Sequence, residues 1–566
     1  MKVKVNYEGP EKKYMLPPEK QSCYEYLQEC YARISADIGD YTAFVSVDCE
    51  TKISKLFEDI EKLAAFLVSE GFRKGDVYTI LLPTSAHAFT SFYALNKLGI
   101  IANIVHPLTP PESLKDILEL TKSKGIFILD RAAAAYADIL KNTHTIVCST
   151  NDYTYGPIKA YVAAQDAELS DVPEGKNIHR FADIMKGKYV SVPTVTEPYK
   201  ETMIYLHGGG TTGKSKTIRH SSYSLNYLAY SFFLLDKDHD YGNSYNLCVL
   251  PCFHAYGLGG AMHYALCNAY SAIVMPKFDA YEANEKIRKY NVQEILGVPN
   301  MFKKMYEADN FINEGLKNLN FVSCGGDIVS EHFIEEFTKA LHDNGSNAAL
   351  CRGWGLTEMC AIGTTNSWIY TKPNSVGVPV ESVEVQIVDE DGNELDYGVL
   401  GEITLRGEMM MNGYLPDGYV KDDGIWTDKD GVKWIRTGDM GMLDEEGFLY
   451  FLGRKKRIII ISGYNVYPHT IEQKLARLDY LLETCAVQGY DENGKPCVKL
   501  CIVLKNPEEN HDEIKEKVLD FCKENLDHFS VPRKIEILDA LPRTKVDKIN
   551  FLAISDAAPE GAPANV

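Results

Sequence analysis

Between residues 56 and 129 the apolar positions switch back and forth between two periods. Leu56, Ile60, Leu63, Ala64 and Leu67 recur at three- and four-residue steps, the spacing of one helix face, and Gly71 follows as a stop. Residues 76–82 then form a short apolar run of the kind that a strand buried on both faces requires. The alternation continues with a helix over 86–98, a strand over 100–104, a helix over 112–123 and a strand over 125–129, which predicts βαβ units and a parallel sheet covered by helices. A second such run is predicted from a strand at 273–275, a helix at 280–290 and a strand at 294–298. It continues into a strand from Phe321 that ends at Gly325, Gly326 and Asp327, and ligands bind at such strand C-termini in open parallel sheets. From Ser375 the texture changes to short alternating strands punctuated by turns such as Asp391-Gly392 and Glu446-Gly447, which predicts a small β-barrel or sheet over about 375–452. Four cations, Arg454 to Arg457, mark a boundary, and strands at 458–461, 483–487, 499–504 and 534–538 with a helix at 513–524 predict a small α+β domain over 458–556. The fold class is therefore α/β: a large N-terminal region, 1–453, of two doubly wound αβ subdomains plus the β subdomain, a short connection at 454–457, the small C-terminal domain and a tail over 557–566. A helical pattern over 23–38 carries no recognisable chemistry.

One stretch breaks the pattern. Between Tyr205 and Thr217, Gly208, Gly209, Gly210 and Gly213 are interleaved with Thr211, Thr212, Lys214, Ser215 and Lys216. Glycines let backbone N–H groups converge on an anion, hydroxyls add donors, and lysines bring positive charge, so the stretch reads as a phosphate cradle; the plainer alternative is a flexible surface turn. Residues 208–215 fit the Walker A pattern, 208–213 fit G-x-G-x-x-G, and 207–210 spell an HGGG oxyanion signature. Walker and dinucleotide loops open directly into a helix, whereas residues 216–220 read as extended and the next helix starts only at an N-cap, Ser221 or Ser222. The loop is thus expected to join two strands, 203–207 and 217–220. No G-x-S-x-G nucleophile elbow occurs in the chain, which removes the hydrolase reading.

Two further clusters carry candidate chemistry. In the run from Arg352 to Glu358, Trp354 offers a stacking face for a base, Gly353 and Gly355 permit close approach, and Thr357 and Glu358 can serve phosphate and Mg2+; a buried aromatic beside a turn is the plainer view. Asp439, after Thr437-Gly438, has a carboxylate suited to a pair of ribose hydroxyls, or is simply a turn residue. With 566 residues several subdomains are expected, and a formal net charge of -20 argues against nucleic acid or an anionic membrane as principal partner. Fourteen cysteines without a C-x-x-C pair suit reduced thiols and a cytoplasmic location. Residues 241–276 lack any charged side chain, yet asparagine, proline and histidine interrupt them, so no membrane span is expected.

Taken in order, these motifs resemble those of the adenylate-forming, AMP-binding superfamily on its acyl-CoA synthetase branch. The glycine loop is similar to S-G-[ST]-T-G-x-P-K, with Gly209 for serine and Ser215 for proline. The Trp354 segment resembles G-Y-G-x-T-E, and residues 541–548 resemble P-[KR]-T-x-x-G-K with Asp547 for glycine. The resemblance implies an ATP-dependent acid-thiol ligase that uses ATP, Mg2+ and CoA. It places nucleotide contacts at the 208–213 loop, Lys216, residues 325–327 and 353–355, Asp439 and Arg454, and catalytic roles at Lys548, Glu358, Thr357 and His254. Here Glu358 holds the metal, His254 in the segment 251–257 lies between nucleotide and acyl pocket, and Lys548 approaches the α-phosphate. It further implies a hinge at Lys456 and pantetheine contacts at Ser462, Gly463 and Asn465 on a mobile C-terminal domain. Small and apolar residues in segments 253–260, 297–301, 323–326 and 359–362 suggest a fatty acid as the substrate. Alternatives are a carrier protein as acceptor, an amino or aryl acid as substrate, a Walker-type NTPase, and an inactive nucleotide-binding regulator.

Overall fold

The computed structural model describes residues 14, 16–166, 172–195, 200–208, 216–237, 239–418, 424–543 and 549–557. The first apolar run becomes the middle of an eight-stranded sheet. Val77–Leu81 lies between Ile101–Ile104 and Gly125–Leu129, all parallel, with His144–Cys148 and Ile178–Arg180 beyond on one side and Thr202–Gly208, Lys216–Ser221 and Tyr414–Leu415 beyond on the other. The helix Ala86–Lys97 starts where Ser85 accepts a hydrogen bond from the Ala88 N–H, and every one of its residues is buried. A helix buried all round shows little amphipathic period. Its Lys97 ammonium is neutralised by Glu61 at 2.9 Å.

The second βαβ run builds a nine-stranded sheet whose parallel strands are, in spatial order, Leu350–Trp354, Phe321–Cys324, Glu294–Gly297, Tyr245–Cys248, Ser271–Val274 and Thr42–Ser46. The last of these lies outside the predicted elements. Its five residues are buried throughout, too short a run for alternation to reveal. The helix before it, Cys23–Ile38, follows the predicted bounds and is secured by a capping box between Ser22 and Glu25. A continuous core joins both sheets, and the β subdomain contributes Val385, Ile403 and Leu449 to it.

That subdomain is a five-stranded antiparallel sheet of Val383–Val388, Gly401–Gly407, Lys433–Leu443, Ile425–Thr427 and Leu449–Arg454. Beyond Arg457 the hairpin Ile459–Ile461 with Tyr464–Val466, the sheet Leu481–Tyr490, Pro496–Leu504 and Lys534–Ile537, and the helices Pro468–Leu475 and His511–Asn525 surround a core of their own. Gln473 Nε2 donates to the Val329 carbonyl at 3.3 Å, and the His469 ring meets Phe451 edge-on at 5.2 Å, which docks the helix Pro468–Leu475 on the larger part of the chain. Among the described residues no helix is long and apolar enough to cross a membrane.

Candidate active site

The strands Thr202–Gly208 and Lys216–Ser221 are antiparallel partners, with His207 opposite Thr217 and Gly208 opposite Lys216. The glycine stretch therefore closes a hairpin, and the helix Ser222–Leu235 begins a full strand later, at the N-cap Ser221. This is the arrangement that the extended pattern of 216–220 predicts, and it opposes a Walker loop, whose phosphate site needs the helix N-terminus directly behind it. Gly209, Gly210, Thr211, Thr212 and Gly213 lie outside the described residues.

Polar side chains hold the hairpin from beneath. Asn103 Nδ2 donates to Thr79 Oγ1 at 2.8 Å, so its oxygen is left to accept from His207 Nε2 at 2.7 Å, while Thr217 Oγ1 donates to His207 Nδ1 at 3.1 Å. Burial pushes the His207 imidazole down to about 4, which keeps it neutral in this role. Its ring is engaged on both nitrogens and braces the two strands against Asn103.

Two contacts tie this hairpin to the Thr357–Glu358 turn, and neither is signalled by the sequence. His220 Nε2 donates to the Thr357 carbonyl at 2.7 Å, and burial holds its imidazole neutral, down to about 4. The Tyr414 hydroxyl donates to Glu358 Oε1 at 2.7 Å, while the Lys216 ammonium sits 4.9 Å from the centre of the Tyr414 ring, within cation–π range. Tyr414 is placed there because Tyr414–Leu415 pairs with Lys216–Ser221, opposing Tyr414 to Ile218. The Met411 N–H donates to the Glu358 carbonyl at 2.8 Å and fixes the backbone of the same turn. No local motif marks His220 or Tyr414; both act through pairings far apart in the chain.

The turn is tight. A Cβ on Gly355 would lie 2.0 Å from the Ala361 carbonyl oxygen, so only glycine fits, and Cys360 and Ala361 are left-handed at φ 56 and 116. Strained backbone of this kind gathers where function dictates shape. Glu358 is half-buried, and its carboxylate, a hard anionic oxygen donor oriented through Oε1 by Tyr414, fits Mg2+.

Asp439 is 2% exposed and stands at the register position opposite Arg454. Trp354 Nε1 donates to its Oδ2 at 3.0 Å, and Arg454 Nε lies 2.9 Å from Oδ1. Three of the expected nucleotide residues thus meet in one cluster, with Phe451 at 6.4 Å from the Trp354 ring. Gly353 and Gly355 flank Trp354 at the end of Leu350–Trp354. Gly325, Gly326 and Asp327 follow the end of the parallel neighbour Phe321–Cys324, with Gly326 and Asp327 exposed.

His254 is exposed at the start of a nine-residue π-helix, Tyr256–Tyr264, in place of an ordinary helix. Such helices are rare and concentrate at functional sites. Gly257 and Gly259 do not open space for an acyl chain as their size suggests. A Cβ on Gly259 would fall 2.1 Å from Leu228, and one on Gly257 would fall 2.1 Å from the Pro251 carbonyl oxygen, so these glycines admit protein neighbours, not a ligand chain. Lys456 lies in the exposed turn Lys455–Arg457; Ser462 and Gly463, both left-handed, and Asn465 form an exposed hairpin end. Lys548 lies outside the described residues, which resume at Ile549 in a bridge to Arg543.

Two sheets whose strand ends converge on a glycine hairpin, an acidic turn and a Trp–Asp–Arg cluster around a buried carboxylate, followed by a small docked domain, define an adenylate-forming enzyme. The chain belongs to the AMP-binding enzyme family: residues 33–415 match that family and residues 470–548 match the AMP-binding enzyme C-terminal domain. It is similar to the long-chain-fatty-acid–CoA ligase of Bacillus subtilis (strain 168), 28% identical over 545 residues that make up 94% of this chain and 95% of that one. Its fold is similar to that of the o-succinylbenzoate CoA synthetase from Bacillus subtilis, solved with its acyl-adenylate intermediate (TM-score 0.73, 22% identity, 95% of this chain and 98% of the other). The same holds for an anthranilate CoA ligase solved with anthranoyl-AMP (TM-score 0.79, 19% identity, 96% and 98%).

Proposed function

We propose that this protein joins a fatty acid to CoA through an acyl-adenylate. A carboxylate oxygen attacks the α-phosphorus of ATP and pyrophosphate departs; the CoA sulfur then attacks the acyl carbon, AMP departs, and the thiol proton passes to solvent. The observation that carries the reading is the pair of hydrogen bonds from His220 and Tyr414 that lock the glycine hairpin to the Thr357–Glu358 turn. The strand that leaves the glycine stretch and the Glu358 carboxylate are thereby tied together, which suits charge stabilisation in a phosphoryl transition state. Mg2+ bound at Glu358 would offset charge on the phosphate oxygens. Asp439 and Trp354 receive ribose and base, Arg454 orients Asp439, and Lys548 brings positive charge to the α-phosphate.

The choice of an apolar acid rests on two supports. Phe253, Tyr256, Val298, Met301, Leu356 and Ala361 are only partly buried against the core at the strand ends. The Bacillus subtilis relative is named for long-chain fatty acids. The test is release of pyrophosphate from ATP and Mg2+ with a panel of fatty, aryl and amino acids, followed by AMP release on addition of CoA or of a phosphopantetheinyl carrier protein. Acid-dependent pyrophosphate with medium or long chains, and AMP release with free CoA, is the expected result. Phosphate release without any acid, or activity confined to amino acids, would overturn it.

A further inference from the structure

We propose that Glu70, His144 and His179 form a binding site for a borderline divalent cation of the Zn2+ class, remote from the nucleotide site. Glu70 caps the C-terminus of the helix Ile53–Ser69, His144 opens the strand His144–Cys148, and His179 lies on its parallel neighbour Ile178–Arg180. The glycine hairpin follows the C-terminal end of its sheet strand, whereas His144 stands at the N-terminal end of one running the same way, so the two places lie at opposite edges.

Glu70 Oε2 is 3.5 Å from His144 Nε2 and 3.8 Å from His179 Nε2, and the three donor atoms all lie within 4.8 Å of one another. Tetrahedral Zn2+ with bonds near 2.0–2.2 Å sets its donors about 3.3–3.5 Å apart, so the two distances to Glu70 need to shorten by only a few tenths of an ångström or not at all. Both Nε2 atoms are shielded from solvent and neither has a hydrogen-bond partner. Buried ring nitrogens are nearly always satisfied, and two unsatisfied ones aimed at a single carboxylate point to a missing ligand. The rings are stacked 4.8 Å apart, and Phe66 packs on His179 at 5.0 Å and Phe72 on His144 at 4.9 Å, which fixes their orientation.

The partner of His144 on its other side favours the ligating tautomer. The Tyr78 oxygen is 2.9 Å from His144 Nδ1 and 3.4 Å from the His144 carbonyl oxygen. When Tyr78 gives its hydrogen to that carbonyl it accepts from Nδ1–H, leaving the Nε2 lone pair directed at Glu70, the outer support that metal-bound histidines have. Two imidazoles and one carboxylate suit Zn2+, whereas Mg2+ prefers oxygen alone, so the metal of ATP does not compete. Glu70 keeps 36% of its side chain exposed, which leaves room for a water as the fourth ligand. Bound there, the cation would fasten the end of a helix to two strands.

The test uses the full-length protein, stripped with chelator and titrated with Zn2+ against a chromophoric chelator. One equivalent should bind, and Zn2+ should raise the thermal midpoint. Glu70→Gln and His179→Gln, each first shown to melt cooperatively without metal, should lose affinity by about a hundredfold or more. Tyr78→Phe should lose about ten- to hundredfold, the range for an outer partner. The cysteines among the described residues are all buried, so they do not divert the probe. Equal binding by the wild type and both ligand variants, or no binding by the wild type below millimolar Zn2+, would overturn the site.

Discussion

Replacing Trp354 by phenylalanine separates two roles that the cluster around Asp439 gives to one side chain. The Asp439 carboxylate is fixed by Trp354 Nε1 at 3.0 Å and Arg454 Nε at 2.9 Å. Trp354→Phe keeps an aromatic face but removes the donor that fixes Asp439. Re-ordering a released side chain on binding costs about 0.5–1.5 kcal/mol, so the KM for ATP should rise about two- to twelvefold. Trp354→Ala removes the stacking face as well, about 1–3 kcal/mol more, a further factor of roughly 5 to 150. Asp439→Asn surrenders the charge that strengthens both ribose bonds and should cost as much as the alanine variant. The assay is acid-dependent pyrophosphate release with ATP and acid varied separately, and melting curves show that each variant is folded, because Asp439 is buried and a lost partner is expensive there. The KM for the acid should stay within about twofold, since no contact to it is removed. Phenylalanine and alanine variants with the same KM for ATP would refute stacking, and an unchanged KM in all three would refute the nucleotide assignment.

Tyr414→Phe releases the Glu358 carboxylate and should lower the adenylation rate about tenfold or more, the worth of a hydrogen bond to a charged group, and raise the Mg2+ needed for half-saturation; unaltered Mg2+ dependence would count against Glu358 as the metal site. Lys548→Ala should lose adenylate formation about a hundredfold or more yet still convert purified acyl-adenylate and CoA to thioester, and equal loss in both half-reactions would count against that role. Gly463→Leu should do the reverse; because Gly463 is left-handed at φ 83, Gly463→Asn serves as the control that keeps the turn without the bulk. Burial holds His207 and His220 at about 4 and His263 at about 3, below the unfolded value of about 6.5, so the unfolded chain takes up protons first. Stability is therefore complete above about pH 6.5 and falls as the pH drops toward 4; denaturation midpoints that stay level between pH 7 and 5 would contradict this, and His263→Gln should flatten the slope.

The sequence reveals whatever repeats or caps locally. The helix Ala280–Tyr290 and the strand Gly125–Leu129 have the bounds their patterns give, and the extended run after the glycines is by itself incompatible with a Walker helix. Long-range pairing stays hidden. His220 reaches a carbonyl 137 positions away and Tyr414 a carboxylate 56 positions away, and neither partner leaves a trace in the local pattern. Thr42–Ser46 escapes notice because it joins a sheet whose other parallel strands begin two hundred residues later, and Gly259 misleads because a missing side chain looks the same whether a ligand or Leu228 fills the space.

The short strand Tyr414–Leu415 also dictates an order of events during synthesis. Until it leaves the ribosome, Lys216–Ser221 is the outer strand of its sheet, with one row of backbone groups unpaired beside the glycine loop. The gap from Ser221 to Tyr414 takes about 10–40 s to translate at roughly 5–20 residues per second. For that interval the nascent chain carries an open strand edge able to join another chain. A fragment ending before Tyr414 keeps that edge permanently, so a fragment meant to hold the two large sheets should be cut for expression only beyond residue 415, and one meant to keep Asp439 and Arg454 only beyond residue 454.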